Sequence, residues 1–239
     1  MQTVHAIRVH QTGGPEQLRY EPIEVGDPGP GEVRVRHTAI GLNFTDVHFR
    51  TGRYPLPHLP HVIGMEGAGV IEAVGPACPA GLAEGDRVAY AAERPRSYCE
   101  AAVMPAQRLV KLPADISDEL GAAVILKGLT AHYLIRSTYR ISAGETILIH
   151  AVAGGVGQIM SQWAASLGVR VIGTVGSDDK VAIAKRCGCD QVIVLGREDV
   201  AARVREINGG EGLPVVYDGV GATTFESSLA SVRRRGMVV

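Results

Sequence analysis

The sequence predicts an α/β chain in two parts, a β-rich N-terminal domain followed by a doubly wound parallel sheet. Three observations carry this. Residues 1–125 are short β-branched runs separated by Gly/Pro clusters, the pattern of a compact barrel or sandwich. From Thr146 onward, apolar runs alternate with helical stretches, the order of parallel strands joined by crossover helices. Between the first two of those runs lies Val152-Ala153-Gly154-Gly155-Val156-Gly157, a glycine-rich turn that follows a strand and opens a helix.

The N-terminal strands are expected at His5–His10, Leu18–Ile23, Glu32–Ala39, Gly67–Val74, Arg87–Ala91, Tyr98–Met104 and Leu109–Leu112. Glu32–Ala39 alternates valine with charge, which marks a half-buried strand. Breakers close these runs, as in Gly26-Asp27-Pro28-Gly29-Pro30-Gly31. A helical stretch from Ser117 to Tyr139, with Gly128 between two expected helices, links the domains. The second part then reads strand Thr146–Ala151, helix Gln158–Leu167, strand Val169–Val175, helix Lys180–Arg186, strand Gln191–Leu195, helix Asp199–Ile207, strand Leu213–Tyr217 and helix Thr224–Val232. Gly236–Val239 opens a fifth strand, inside which the chain ends, so a truncated form of a longer protein is expected.

Composition narrows the function. The 239 residues are 46% hydrophobic and 21% charged, as in globular proteins. A net charge of −1 favours neither nucleic acid nor an anionic membrane as partner. No apolar run approaches the ~20 residues of a membrane span. Met1–His10 lacks the basic start and apolar centre of a signal peptide, so a cytoplasmic location is expected. Cys78, Cys99, Cys187 and Cys189 read as free thiols in a reducing compartment.

The glycine turn points to chemistry. The first amides of a helix have no intrahelical acceptor, and the helix dipole adds positive potential there. A pyrophosphate fits that spot where no side chain blocks it. Val152 replaces the first glycine of the usual motif, so the turn must form without a residue that tolerates positive φ there.

Several segments together resemble the medium-chain dehydrogenase/reductase superfamily, in its quinone oxidoreductase (zeta-crystallin-like) branch. They are Thr12-Gly13-Gly14-Pro15-Glu16, Ala39-Ile40-Gly41-Leu42-Asn43-Phe44-Thr45-Asp46, Gly64-x-Glu66-x-x-Gly69, Gly85-Asp86-Arg87-Val88, Leu126-Lys127-Gly128-Leu129-Thr130, His150 to Gly157, and Val216-Tyr217-Asp218-x-Val220-Gly221. The resemblance implies a GroES-like substrate domain over 1–125 and a Rossmann NADPH-binding domain over 126–239, incomplete at its C-terminal end. It also implies a homodimer for the full-length form. Zinc enzymes of the superfamily have Cys and His where this chain has Asn43 and Met65, and both are poor zinc ligands. No metal is therefore expected.

The cofactor expected is NADPH. At the end of the second strand an NAD site carries an acid for the ribose 2′-OH, and this chain has Val175 there. Gly176, Ser177 and Lys180 then suit a 2′-phosphate, with Asp178 and Asp179 as nearby negative charge. Relatives place a tyrosine at Leu195; Arg197 either substitutes for it or is a solvated surface cation. By the same resemblance Phe44, Thr45, Asp46, His48, Lys127, Thr130, Tyr133, Gly154, Gly155, Val156 and Val220 lie on the cofactor. Asn43 is a candidate to hydrogen-bond the substrate oxygen, or simply caps a helix. Asp46 is alternatively a first-turn helix acid. Tyr54 matches a tyrosine of the substrate cleft, or is a loop aromatic. Glu66 is read as a core residue. The expected activity is NADPH-dependent reduction of a quinone. The alternatives are reduction of an enone or alkenal, and nucleotide binding without turnover.

Overall fold

A computed structural model describes residues 1–79 and 81–239. The chain forms two compact units, Met1–Leu126 and Lys127–Val239.

In chain order the first unit contains β1 (Gln2–Val9), β2 (Leu18–Val25), β3 (Glu32–Gly41), α1 (Phe44–Thr51), β4 (His61–Val62), β5 (Glu66–Val74), β6 (Arg87–Ala91), β7 (Ala101–Pro105) and β8 (Val110–Lys111). They make two antiparallel sheets, ordered β2-β1-β4 and β7-β3-β5-β6-β8. The alternation in β3 is realised: Val33 and Val35 are fully buried with Ile71, Val88 and Tyr90, while Arg36 is exposed. The expected strand Tyr98–Met104 is divided instead. Its first part bonds to β1, through Ile7 N–H to the Tyr98 carbonyl (2.7 Å) and Glu100 N–H to the His5 carbonyl (2.9 Å). Glu100 serves both sheets, its carbonyl accepting His37 N–H of β3 (2.8 Å), and from Ala101 the run pairs with β3. One apolar run thus serves two sheets, which local pattern does not reveal.

Helix α2 (Asp118–Tyr133) runs straight through Gly128. The expected division into two helices there is corrected, because a single glycine costs only about 1 kcal/mol and leaves the i→i−4 ladder intact. The α-helix gives way at Leu134–Thr138, where a wider π turn closes with Tyr139 N–H on the Leu134 carbonyl.

The second unit continues with β9 (Thr146–Ile149), α3 (Gly155–Ser166), β10 (Arg170–Val175), α4 (Val181–Arg186), β11 (Gln191–Val194), α5 (Val200–Ile207), β12 (Leu213–Tyr217), α6 (Phe225–Ser231) and β13 (Val232–Val238). The five strands are parallel in the order β11-β10-β9-β12-β13. Strand alternation sends Ile147 and Ile149 to one face with Met160 and Ala164 of α3. Leu148, Ile172 and Ile193 go to the other face, with Val200 and Val204 of α5. β13 pairs with β12 as the last strand of this order. Its pairing jumps from Leu213↔Val232 to Val215↔Met237, leaving Arg233–Gly236 out of register with Arg235 at φ +61°.

Val152 is fully buried, and its side chain occupies the space over Gly173 of β10. A Cβ at Gly173 would lie 2.5 Å from Val152 Cγ1. Gly173→Ala is therefore expected to lower stability by about 1–3 kcal/mol, the usual cost of overpacking. In a Val152→Ala background the cost is expected to shrink, and urea denaturation of the four chains measures the coupling. Equal costs in both backgrounds contradict the packing account.

Candidate functional site

In the second unit the turn after β9 leads into α3 through Ala151 at φ +49°. The strained residue is thus Ala151, one position before Val152, where the glycine motif locates the difficulty. Val152 N–H bonds to the Thr174 carbonyl (3.0 Å), and Gly154 N–H returns to the Ala151 carbonyl (2.8 Å). A Cβ on Gly157 would lie 2.7 Å from Val152 Cα, so the helix begins pressed against its own turn. α1 and α5 open beneath carboxylates, Asp46 on Asn43 N–H and Asp199 on Ala202 N–H. α3 opens at Gly154 with no side-chain cap and no acid in its first turn. The amides of Gly155, Val156 and Gly157 are the orphan donors of that helix, and an anion satisfies them.

Lys127 lies against this helix start. A Cβ on Gly155 would fall 2.8 Å from its Cδ and 3.0 Å from its Cε. The lysine stem thus lies over the first helical residue. Thr130 follows three residues on along α2, beside Lys127, and Tyr133 three further, turned toward the surface.

At the end of β10, Val175 is buried, and a Cβ added at Gly176 would meet nothing within 4 Å. Arg197 forms an ion pair with Asp178. The Asp179 carboxyl is held below its ordinary value first by a bond from the Ser177 hydroxyl, with Lys180 adding to the effect. Lys180 makes no ion pair within contact distance among the described residues. Asp178 is thus paired with Arg197, and Asp179 takes a hydrogen bond from Ser177.

Asp218 closes the third side. Its Oδ1 accepts from Val220 N–H (3.0 Å), Gly221 N–H (2.9 Å) and the Thr224 hydroxyl (2.7 Å), which presents Val220 at the surface. Sequence reasoning missed the polar groups behind this loop, His150, Thr174 and Ser228. Their spacing of up to 78 positions carries no local signal.

In the first unit Asn43 begins α1. Its Nδ2 donates to Glu66 Oε1 (2.8 Å), and Leu126 N–H donates to Glu66 Oε2 (2.9 Å). Glu66 is fully buried, and Gly41 leaves it room: a Cβ there would lie 2.3 Å from Oε1. Asp46 is also buried and accepts the Tyr98 hydroxyl (3.0 Å). Phe44, 73% exposed, meets His48 edge-on at 5.1 Å, and His48 meets Tyr54 at 5.0 Å. Phe44, His48 and Tyr54 thus form one open aromatic face, while Asp46 lies underneath it and Thr45 is half-buried. No group of three or more His, Cys, Asp or Glu is placed to hold a metal ion among the described residues.

A β-rich unit joined to a parallel sheet with an uncapped glycine turn defines the class of two-domain, dinucleotide-dependent dehydrogenases and reductases. The alcohol dehydrogenase GroES-like domain family matches residues 29–140, and the zinc-binding dehydrogenase family matches 155–239. A quinone oxidoreductase of Pseudomonas aeruginosa is 51% identical over 95% of this chain and 70% of its own length. A 2-haloacrylate reductase of a Burkholderia species is 43% identical over 98% of this chain and 72% of its own. The structure of the Escherichia coli quinone oxidoreductase complexed with NADPH superposes with a TM-score of 0.95 at 44% identity, covering 98% of this chain and 72% of that one. The chain belongs to the quinone oxidoreductase family.

The buried polar groups set two measurable properties. Tyr98→Phe removes the donor to a buried carboxylate and is expected to cost about 1–3 kcal/mol in a urea melt; no change would show that Asp46 does not depend on it. His37 and His150 are both held below the ordinary histidine value, chiefly by burial. The unfolded chain therefore takes up protons first, and stability falls as pH drops below about 6.5. Urea midpoints across that range check this, and a midpoint that rises on acidification contradicts it.

Proposed function

We propose that this chain reduces quinones with NADPH, by hydride or electron transfer and without zinc. The observation that carries the reading is the pair of open places in the second unit, each with a lysine beside it. One is the uncapped start of α3 with the Lys127 stem over Gly155. The other is Gly176 with Ser177 and Lys180, at the strand end where an NAD site needs an acid. Gly154, Gly155 and Val156 would hold the pyrophosphate, with Lys127 as counter-charge. Thr130, Tyr133 and Val220 would line the nucleotide. Bound there, NADPH supplies a hydride.

The chain's own residues bind and orient. Phe44, His48 and Tyr54 offer an exposed aromatic cluster, its rings set edge to face, for a flat ring to pack against. One Asn43 amide proton goes to Glu66, and the second serves a carbonyl oxygen. Asp46 holds the start of α1 through Asn43 N–H, with Thr45 in its first turn. Reduction of an activated alkene is the second reading, favoured by the 2-haloacrylate reductase relative; Tyr54 would then supply the proton. A homodimer in the cytoplasm belongs to the same proposal. No helix here is long and apolar enough to cross a membrane among the described residues.

The experiment is NADPH oxidation with 1,4-benzoquinone against 2-chloroacrylate and a simple enone. Turnover of the quinone is expected. Turnover of the alkenes alone transfers the assignment to the second reading, and NADPH binding without oxidation of any kind leaves a nucleotide-binding protein. Lys180→Ala is expected to weaken NADPH binding about tenfold while leaving NADH binding near its original level, because a charged hydrogen bond contributes about 1.5–3 kcal/mol. Equal loss for both nucleotides would remove Lys180 from the 2′-phosphate.

A further inference from the structure

Beneath the two turns of the second unit, a buried chain of hydrogen bonds crosses the C-terminal ends of β10, β9 and β12 and reaches α6. Ala151 N–H meets Thr174 Oγ1 (3.3 Å), and Thr174 Oγ1 meets His150 Nδ1 (2.9 Å). His150 Nε2 meets Ser228 Oγ (3.1 Å), and Ser228 Oγ meets Asp218 Oδ2 (2.6 Å). Thr174 and Ser228 are fully buried, and His150 nearly so.

Counting donors settles the direction of every bond. Burial alone would raise the Asp218 carboxyl, but bonds from Gly221 N–H, the Ser228 and Thr224 hydroxyls and Val220 N–H outweigh it and hold the group below its ordinary value. An ionised carboxylate only accepts, so the single Ser228 proton points at Oδ2. Ser228 Oγ must then accept from His150 Nε2–H. A neutral imidazole protonated at Nε2 has an acceptor at Nδ1, so the Thr174 hydroxyl donates there. Thr174 Oγ1 in turn accepts from Ala151 N–H. The bonds run one way, from the amide of the strained residue in the glycine turn to the carboxylate that holds Val220 and Gly221.

We propose that this one-way chain, with His150 at its centre, is the positioning device of the nucleotide pocket, joining the glycine-rich turn and the Val220–Gly221 turn into a single preformed unit. The inference rests on the dinucleotide reading above. His150 and Ser228 act through the turns and touch no reacting atom. A neutral ring is required, since a proton on Nδ1 would set a donor against the Thr174 hydroxyl and reverse one link. Burial favours that neutral form and the Asp218 charge opposes it; among the described residues, β10 and α6 bond to the ring through the uncharged Thr174 and Ser228.

The device makes a remote prediction. Each turn should respond to a substitution at the far end, which local packing does not require. Amide hydrogen exchange on the nucleotide-free chain reads this directly. Ser228→Ala is expected to speed exchange at Ala151 and Val152, and the isosteric Thr174→Val at Val220 and Gly221, each about tenfold. Thr174→Ser keeps the hydroxyl and is expected to restore slow exchange at the far turn. In parallel, calorimetric titration with NADPH is expected to show about tenfold weaker binding to Ser228→Ala and Thr174→Val. Binding to the unsubstituted chain should also weaken between about pH 7 and 5, a trend that Ser228→Ala flattens. Exchange confined to the turn beside each substitution overturns the coupling. Joint exchange with unchanged NADPH affinity overturns its role in the pocket. If the unsubstituted chain binds no NADPH at all, the dinucleotide reading falls instead, and the exchange measurements still decide the coupling.

Discussion

Helix α3 lies against the turn that leads into it at a separation only glycine permits. A Cβ on Gly157 would fall 2.7 Å from Val152 Cα and 2.8 Å from the Ala151 carbonyl. Much of the second unit follows from this close approach. The chain must turn through Ala151 at positive φ, and Val152 is driven into the core over Gly173. The first amides of α3 are left facing out with no side chain to cap them. A helix start so arranged suits an anion, and the aliphatic stem of Lys127 lies over Gly155. The strain at Ala151 is tolerated because its neighbours are bonded on every side, by Thr174 and by the polar chain that continues to Asp218.

The first unit is organised around a different constraint, the fully buried carboxylate of Glu66. A buried charge is costly without donors, and the Asn43 amide and Leu126 N–H are two of its partners. Gly41 makes the space for it. Asn43 stands where zinc relatives have a thiolate, and here it is a donor to a carboxylate. In this small region the Asn43 side chain is engaged in an internal hydrogen bond. Phe44, His48 and Tyr54 lie on the open side of α1 as an aromatic surface.

Electrostatics at the end of β10 show why local charge counting misleads. Residues 178 and 179 are both acidic, which read in isolation argues against a phosphate. Arg197 returns from the loop after β11 to pair with Asp178, and Ser177 bonds to Asp179. The Ser177 bond stabilises the charge on Asp179 and does not cancel it, so Lys180 acts beside one remaining carboxylate. Of the two readings of Arg197, the structure shows the solvated surface cation, paired with Asp178.

Much of this protein is legible along the chain. Strand and helix periodicity locates most elements, since burial of one face repeats every 2 or every 3.6 residues and leaves a local trace. The glycine turn, Val175 in place of an acid, and Asn43 and Met65 in place of zinc ligands can all be read at single positions. Boundaries fail where a run serves two partners, as at Tyr98–Glu100, or where a breaker is too weak to break, as at Gly128. The sequence alone determined the class of fold, the nucleotide turn and the lack of zinc ligands, because these depend on residue type at fixed local spacing. Only the tertiary structure decided that Ala151 carries the strained φ, that Glu66 holds Asn43, and that Arg197 answers Asp178. It alone joined Thr174, His150, Ser228 and Asp218 into one directed chain. Those contacts link residues up to 78 positions apart, and a hydrogen bond's direction depends on every donor and acceptor it meets in space, not on its neighbours in the chain.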